Sequence, residues 1–214
     1  MTPRDRIGAC RLYLVCGARG GGAPLRAFIN AALRGGVDIV QLRDKTLDDA
    51  GIVEAATTFR AAANEHGALF ILNDRPDLVA ACDADGVHVG QDDMPPAEAR
   101  ALVGPDRIVG RSTHAPDQGA VAAADRDVDY LAVGPVHATP TKPGRAAAGI
   151  EYVRWAAAQV TTPWFAIGGL DAETLPAVTA AGATRIVVVR AIEGAPDPEA
   201  AARTLRAGLE VPVA

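Results

Sequence analysis

Short apolar runs alternate with longer amphipathic stretches along the whole chain. The runs at 11–16, 37–42, 68–72, 86–89, 107–110, 128–133, 164–167 and 185–189 are largely continuous in hydrophobic residues. Continuous rather than alternating apolar character marks strands covered on both faces, as in parallel sheets. Between them lie Ala-rich stretches of helical character, among them 50–65, 95–102 and 172–181, and 198–209 closes the chain. Eight strand–helix units in 214 residues come to about 27 residues each, the size of a βα repeat. The pattern predicts an α/β fold, a single (β/α)8 TIM barrel. A doubly wound open sheet is the main competitor. Even strand spacing favours the barrel, and Gly20-Gly21-Gly22 lacks the spacing of a dinucleotide-binding turn. Residues 1–214 are expected to form one barrel domain, with a short N-terminal extension and a frayed tail at 211–214. The Gly/Pro-rich segment 134–149 is the one long irregular stretch, a length usually reserved for lids or binding loops.

Composition narrows the function classes. Hydrophobic residues make up 49% and charged residues 22%, as in ordinary globular domains. Aromatics at 4% do not supply a stacking platform for single-stranded nucleic acid. A net charge of -5 excludes a generally basic nucleic-acid surface, so any anion binding is local. The start, Met1 to Arg6, has no apolar run behind its charges and does not read as a secretory signal. No stretch is long enough to span a bilayer. Cys10, Cys16 and Cys82 form an odd, scattered set that suits a reducing cytoplasm better than disulfides or zinc. A nucleophilic role for Cys16 finds no activating neighbour in the sequence.

In a barrel, reactive groups come from the C-terminal ends of several strands. Strand two ends in Gln41, Arg43 and Lys45; strand three in Asn73 and Asp74. Strand four runs into His88, Gln91, Asp92 and Asp93, and strand five into Ser112, Thr113 and His114. Strand six is followed by His137, Thr139, Thr141 and Lys142, strand seven by Gly168 and Gly169, strand eight by Val189 and Arg190. Asp74 and Asp93 near these cations suit a hard divalent ion such as Mg2+, which takes one or two carboxylates plus substrate phosphate oxygens. The alternative for Asn73 or Asp74 is a helix cap. His88 falls inside a strand and reads as a packed core histidine; His114 and His137 lie in loops, and none has zinc-site spacing. The loop Thr139-Pro140-Thr141-Lys142-Pro143-Gly144 suits a phosphate lid, or else a surface turn. Gly168-Gly169 with Val189-Arg190 matches the common barrel phosphate site, where glycine lets backbone N–H groups approach the anion. Two anion sites on one rim suit the joining of two phosphorylated small molecules.

Read together and in order, Gln41-Leu42-Arg43-Asp44-Lys45, Asn73-Asp74, the run from Ala84 to Met94, Gly134-Pro135, Thr139-Pro140-Thr141-Lys142 and Ile167-Gly168-Gly169 closely resemble thiamine phosphate synthases, from about Leu12 to Ile192. The resemblance implies a Mg2+-dependent transferase joining hydroxymethylpyrimidine diphosphate to hydroxyethylthiazole phosphate, with thiamine phosphate and diphosphate as products. By motif position, Asp74 and Asp93 hold magnesium. Gln41, Arg43, Lys45, Asn73, Ser112 and Lys142 bind the pyrimidine diphosphate, with Arg43, Lys45, Lys142 and Ser112 as the catalytic set. Thr139, Pro140, Thr141, Gly169, Val189 and Arg190 line the thiazole phosphate site. Family members often carry Glu at the place of Asp44, and many carry a small serine where this chain has Arg190.

The expected chemistry is dissociative displacement, with the cations neutralising the departing diphosphate. The attacking thiazole nitrogen carries no proton, so no general base is required, and no Ser–His–Asp or Cys–His constellation is visible. Three alternatives stand beside this reading. A thiazole tautomerase of the same fold needs a proton shuttle rather than a diphosphate clamp. A sugar-phosphate epimerase needs paired acid and base groups. A non-catalytic regulator that kept the pocket differs only in lacking turnover. Partners are expected to be small molecules, with a homo-oligomer left open.

Overall fold

The computed structural model describes residues 1–138 and 146–210. Its centre is a closed barrel of eight parallel strands in sequential order: β1 (Leu12–Cys16), β2 (Ile39–Leu42), β3 (Leu69–Asn73), β4 (Gly86–Val89), β5 (Ile108–Thr113), β6 (Tyr130–Val133), β7 (Trp164–Ile167) and β8 (Ile186–Val188). β8 closes onto β1 through Leu12–Ile186 and Leu14–Val188 pairing. Each predicted strand is present. β5 runs on to Thr113, three residues beyond the apolar run, because Ser112 and Thr113 remain paired with Ala132 and Val133 of β6.

Helices α2 (Gly22–Arg34), α3 (Asp49–His66), α4 (Pro96–Val103), α5 (Pro116–Ala124), α6 (Gly149–Gln159), α7 (Leu175–Ala180), α8 (Arg190–Glu193) and α9 (Pro198–Glu210) follow the strands, and α1 (Pro3–Arg6) precedes them. Helix α3 shows why these stretches are helical. Asp48 caps its start by accepting the Gly51 N–H at 2.9 Å, and Gly67 ends it in the left-handed region at φ 66°. Ile52, Ala55, Ala56, Phe59, Ala62 and Ala63 recur at helical spacing and are buried. Phe59 stacks on Phe70 of β3 with centroids 5.4 Å apart; truncating such a buried ring costs about 3–5 kcal/mol.

The core has two parts. One lies between sheet and helices. The other fills the barrel, where Tyr13, Tyr130 and Phe165 meet edge-to-face with centroids 5.5–5.9 Å apart. Ile7 and Cys10, just after α1, belong to this inner cluster and plug the N-terminal end of the barrel.

That end is fastened by one device used three times. Asp38, Asp85 and Asp129 each stand just before an even-numbered strand and accept an N–H at the head of the preceding one: Leu12 (3.0 Å), Phe70 (2.7 Å) and Val109 (2.8 Å). Each carboxylate is also met by arginine, from Arg206, Arg60, and Arg4 with Arg100 respectively. Stability is thus concentrated at one end, leaving the C-terminal rim to carry chemistry.

Candidate active site

The rim carries two adjoining cavities. The larger, about 350 Å³, is lined by Gln41, Arg43, Lys45, Asn73 and Ser112, which the sequence assigned to a pyrimidine diphosphate. The other, about 280 Å³, is lined by Gly168, Gly169, Val189 and Arg190 on the far side of the barrel. Ser112, Ile167, Val187, Val189 and Arg190 line both, so the cavities share a wall. Thr139, Pro140, Thr141 and Lys142 lie outside the described residues.

Local geometry explains how these groups are held. Gln41 is buried on β2 and faces the barrel interior. Arg43 and Lys45 follow in a loop pinned by Asp44, which accepts from Ala18 N–H (3.2 Å), Thr46 N–H (3.0 Å) and the Thr46 hydroxyl (2.6 Å). The Thr46 hydroxyl, with the backbone N–H groups, holds the Asp44 carboxyl below its ordinary pKa. Asp44 is therefore a brace between the β1 and β2 loops rather than an anion-site cation's partner. Gly168 sits in the left-handed region at φ 107°, and a Cβ there would lie 2.5 Å from Pro135 Cβ. The backbone at this corner of the smaller cavity is consequently bare, as an anion site needs.

Asp74 and Asp93 come within hydrogen-bond reach of each other although they stand 19 positions apart in the sequence. Asp74 is not a helix cap; it takes a left-handed conformation at φ 59°, and Arg75 precedes the short 3-10 turn Pro76–Leu78 without a side-chain cap. Burial raises the Asp74 pKa first, and a hydrogen bond and repulsion from the Asp93 carboxyl raise it further; Lys45 opposes both from 3.5 Å. Asp93 is anchored by the Gly90 N–H at 2.8 Å. Its loop is clasped in turn by Arg111, which donates to Gly90 O at 2.6 Å, and by Gln91, which donates to Ser112 O at 2.5 Å. Two crowded carboxylates beside one lysine form an oxygen donor pair with a charge deficit that a hard cation relieves. Among the described residues there is no group of three or more His, Cys, Asp or Glu able to hold a metal. Carboxylate oxygens are the donor type that a hard cation such as Mg2+ takes, so the residues present fit that ion.

Other candidates resolve differently. The neighbouring Arg75 is tied to Asp49 and Asp77, both at 2.6 Å, and serves the surface. Cys16 is 2% exposed, and burial raises its thiol pKa, so it is no ready nucleophile. The His114 ring contacts Gly134 O at 2.5 Å, which ties it to the β6 end rather than leaving it solvated. His88 is buried as expected, yet it is not merely packed: both ring nitrogens engage hydroxyls, Tyr130 at 2.9 Å and Ser112 at 2.8 Å. Tyr13, Tyr130 and His88 were missed as site-supporting groups. Their signal in the sequence was a polar atom at an interior position of an otherwise apolar strand.

The sequence matches the protein family described as thiamine monophosphate synthase over residues 12–192. The chain belongs to that family. The thiamine-phosphate synthase of Thermobifida fusca is 52% identical over 206 residues, covering 96% of this chain and 94% of its own. That of Thermus thermophilus is 54% identical, covering 92% and 95%. Among solved structures, the thiamine phosphate pyrophosphorylase of Pyrococcus furiosus superposes with a TM-score of 0.85 at 31% identity, covering 95% of this chain and 97% of that one. A 3-hexulose-6-phosphate synthase shares the barrel at a TM-score of 0.62 and 21% identity, a likeness of fold alone. The chain is accordingly a transferase of the thiamine-phosphate synthase kind, acting on small molecules. No helix among the described residues is long and apolar enough to cross a membrane.

Proposed function

We propose that the chain transfers the hydroxymethylpyrimidine group from its diphosphate to the ring nitrogen of hydroxyethylthiazole phosphate, with Mg2+ and by dissociative displacement. The observation that carries the reading is the shared wall of the two cavities, one bearing Gln41, Arg43, Lys45 and Asn73, the other Gly169, with Ser112, Val189 and Arg190 common to both. Two reactants held there meet across Ser112 without leaving the rim, so positioning replaces a bimolecular encounter.

In this reading Gln41, Asn73 and Ser112 orient the pyrimidine, while Arg43, Lys45 and Lys142 hold its diphosphate. The methylene C–O bond breaks and its electron pair leaves with the diphosphate; the cations are placed where that negative charge grows. The thiazole nitrogen lone pair then forms the C–N bond, and no proton needs to move. Gly169, Val189 and Arg190, with Thr139, Pro140 and Thr141, hold the thiazole phosphate. Asp74 and Asp93 would hold Mg2+, whose chemistry is to neutralise charge on the departing diphosphate. The buried thiols suit a reducing cytoplasm.

Asp74→Asn and Asp93→Asn test the metal role. Each is expected to lower turnover by about a hundredfold and to abolish the thermal stabilisation that Mg2+ with diphosphate confers on the parent protein. Equal turnover in chelator and in Mg2+ refutes it. Lys142→Ala is expected to lower turnover strongly without unfolding; near-normal turnover removes its role.

A further inference from the structure

We propose that Gln41, Tyr13, Tyr130, His88 and Ser112 form a hydrogen-bond chain of fixed direction across the barrel, which sets His88 as its Nε2–H tautomer and presents the Ser112 hydroxyl to the larger cavity as a donor. The links are Gln41 Nε2 to Tyr13 Oη (2.5 Å), Tyr13 Oη to Tyr130 Oη (2.9 Å), Tyr130 Oη to His88 Nδ1 (2.9 Å) and His88 Nε2 to Ser112 Oγ (2.8 Å). All five side chains are buried, on β2, β1, β6, β4 and β5. The sequence makes room for them: a Cβ at Gly110 would lie 2.1 Å from Tyr130 Cζ and 2.4 Å from its Oη. Only glycine at 110 lets that ring reach His88, on which it stacks with centroids 5.5 Å apart.

The direction follows from the donor inventory. An amide nitrogen donates and cannot accept, so Tyr13 Oη is an acceptor from Gln41. Tyr13 has one proton, and Tyr130 Oη is the next oxygen along the chain. Tyr130 in turn donates to His88 Nδ1. Burial raises the pKa of both phenols, which keeps both protons in place. A neutral imidazole that accepts at Nδ1 carries its proton on Nε2 and donates to Ser112 Oγ. The Ser112 proton is then left for the cavity. At the other end, Gln41 gives one amide N–H to Tyr13, and its carbonyl is the acceptor it has for the same cavity. Each bond polarises the next in the same sense, so the chain favours one direction throughout.

The cavity therefore offers a donor at Ser112 and an acceptor at Gln41. The complementary ligand is an aromatic heterocycle with a ring-nitrogen acceptor and an exocyclic amine, which is the amino-pyrimidine face. That last step rests on the proposed function; the direction of the chain does not. His88, Tyr13 and Tyr130 are positioning residues, acting through Ser112 and Gln41.

The test is nitrogen-15 NMR of the histidine rings in the ligand-free full-length protein, which has four histidines, with His88 assigned by its loss in His88→Gln. The expected result is a pyridine-like Nδ1 and a pyrrole-like Nε2 for His88. A pyrrole-like Nδ1 means the chain runs the other way and overturns the proposal. Tyr130→Phe keeps the ring and cuts the chain. It is expected to return His88 to a tautomer mixture and to raise the KM for the pyrimidine diphosphate about tenfold, with a smaller change in kcat. A His88 tautomer unchanged in Tyr130→Phe refutes the chain as its cause. The stated tautomer without any synthase turnover would refute the proposed function and leave the chain standing.

Discussion

Replacing Asp129 with alanine removes three bonds at once from the end of the barrel opposite the cavities. The carboxylate is 7% exposed; it accepts from Arg4 Nε at 2.7 Å, Arg100 Nη2 at 2.5 Å and Val109 N–H at 2.8 Å. Losing the acceptor for a buried strand N–H costs about 1–3 kcal/mol. Arg100 is 12% exposed and loses its countercharge, but it keeps the carbonyls of Gly104, Arg107 and Asp127, which limits that loss to about 1–2 kcal/mol. Arg4 is 36% exposed, and its pairing contributes about 0–1 kcal/mol. The sum, about 2–6 kcal/mol, brackets the cost of breaking a buried pair by deleting one partner. In a chain of this length it lowers Tm by roughly 10 °C. The assay is urea and thermal unfolding followed by circular dichroism, with turnover measured where both proteins are folded. Asp129→Asn, which can still accept from Val109, is expected to fall between the two. A loss under about 1 kcal/mol refutes the ledger. Impaired turnover in the folded variant refutes the separation of stability and chemistry between the two ends.

Three further outcomes follow from the same structure. Burial pushes the Cys10 thiol pKa up to about 12 and raises those of Cys16 and Cys82, so an alkylating agent at pH 8 is expected to spare all three in the native protein and label all three in urea. The Asp44 carboxyl is held below its ordinary value of 3.8, so its contribution to stability is present above that value and is lost as pH falls through the depressed one. Thr46→Val removes the largest cause; the Asp44 titration followed by carbon-13 NMR then moves up, and an unmoved titration contradicts the assignment. Gly110→Ala forces Tyr130 aside and is expected to cost about 1–3 kcal/mol while weakening the pyrimidine substrate; unchanged unfolding and KM count against the close fit.

The repeat of apolar runs made the barrel readable, since a period of eight similar units leaves few topologies. Strand edges were less readable where polar residues stay in the ladder: Ser112 and Thr113 look like loop residues yet pair with β6. The rim was readable because Arg43, Lys45, Asp74 and Asp93 are charges set directly after apolar runs. That Asp74 and Asp93 lie near these cations was readable from their neighbouring strands; the means that holds them there was not, because it depends on the left-handed turn at Asp74 and on Arg111 clasping the Gly90 loop. The inner hydrogen-bond chain was hidden for a deeper reason. Its members come from five strands, and Tyr13 and Tyr130 look like core aromatics until closure brings their hydroxyls within 2.9 Å. The strand-head aspartates were hidden likewise: Asp38, Asp85 and Asp129 read as loop charges until the neighbouring strand supplies their N–H partners.

The most direct measurement is turnover by the purified full-length protein of both phosphorylated precursors, with and without Mg2+, reading thiamine phosphate itself. Metal-dependent formation of thiamine phosphate, with diphosphate released in equal amount, is the predicted result. No product from a folded protein that binds both precursors would contradict it and leave a phosphate-binding barrel without synthase chemistry.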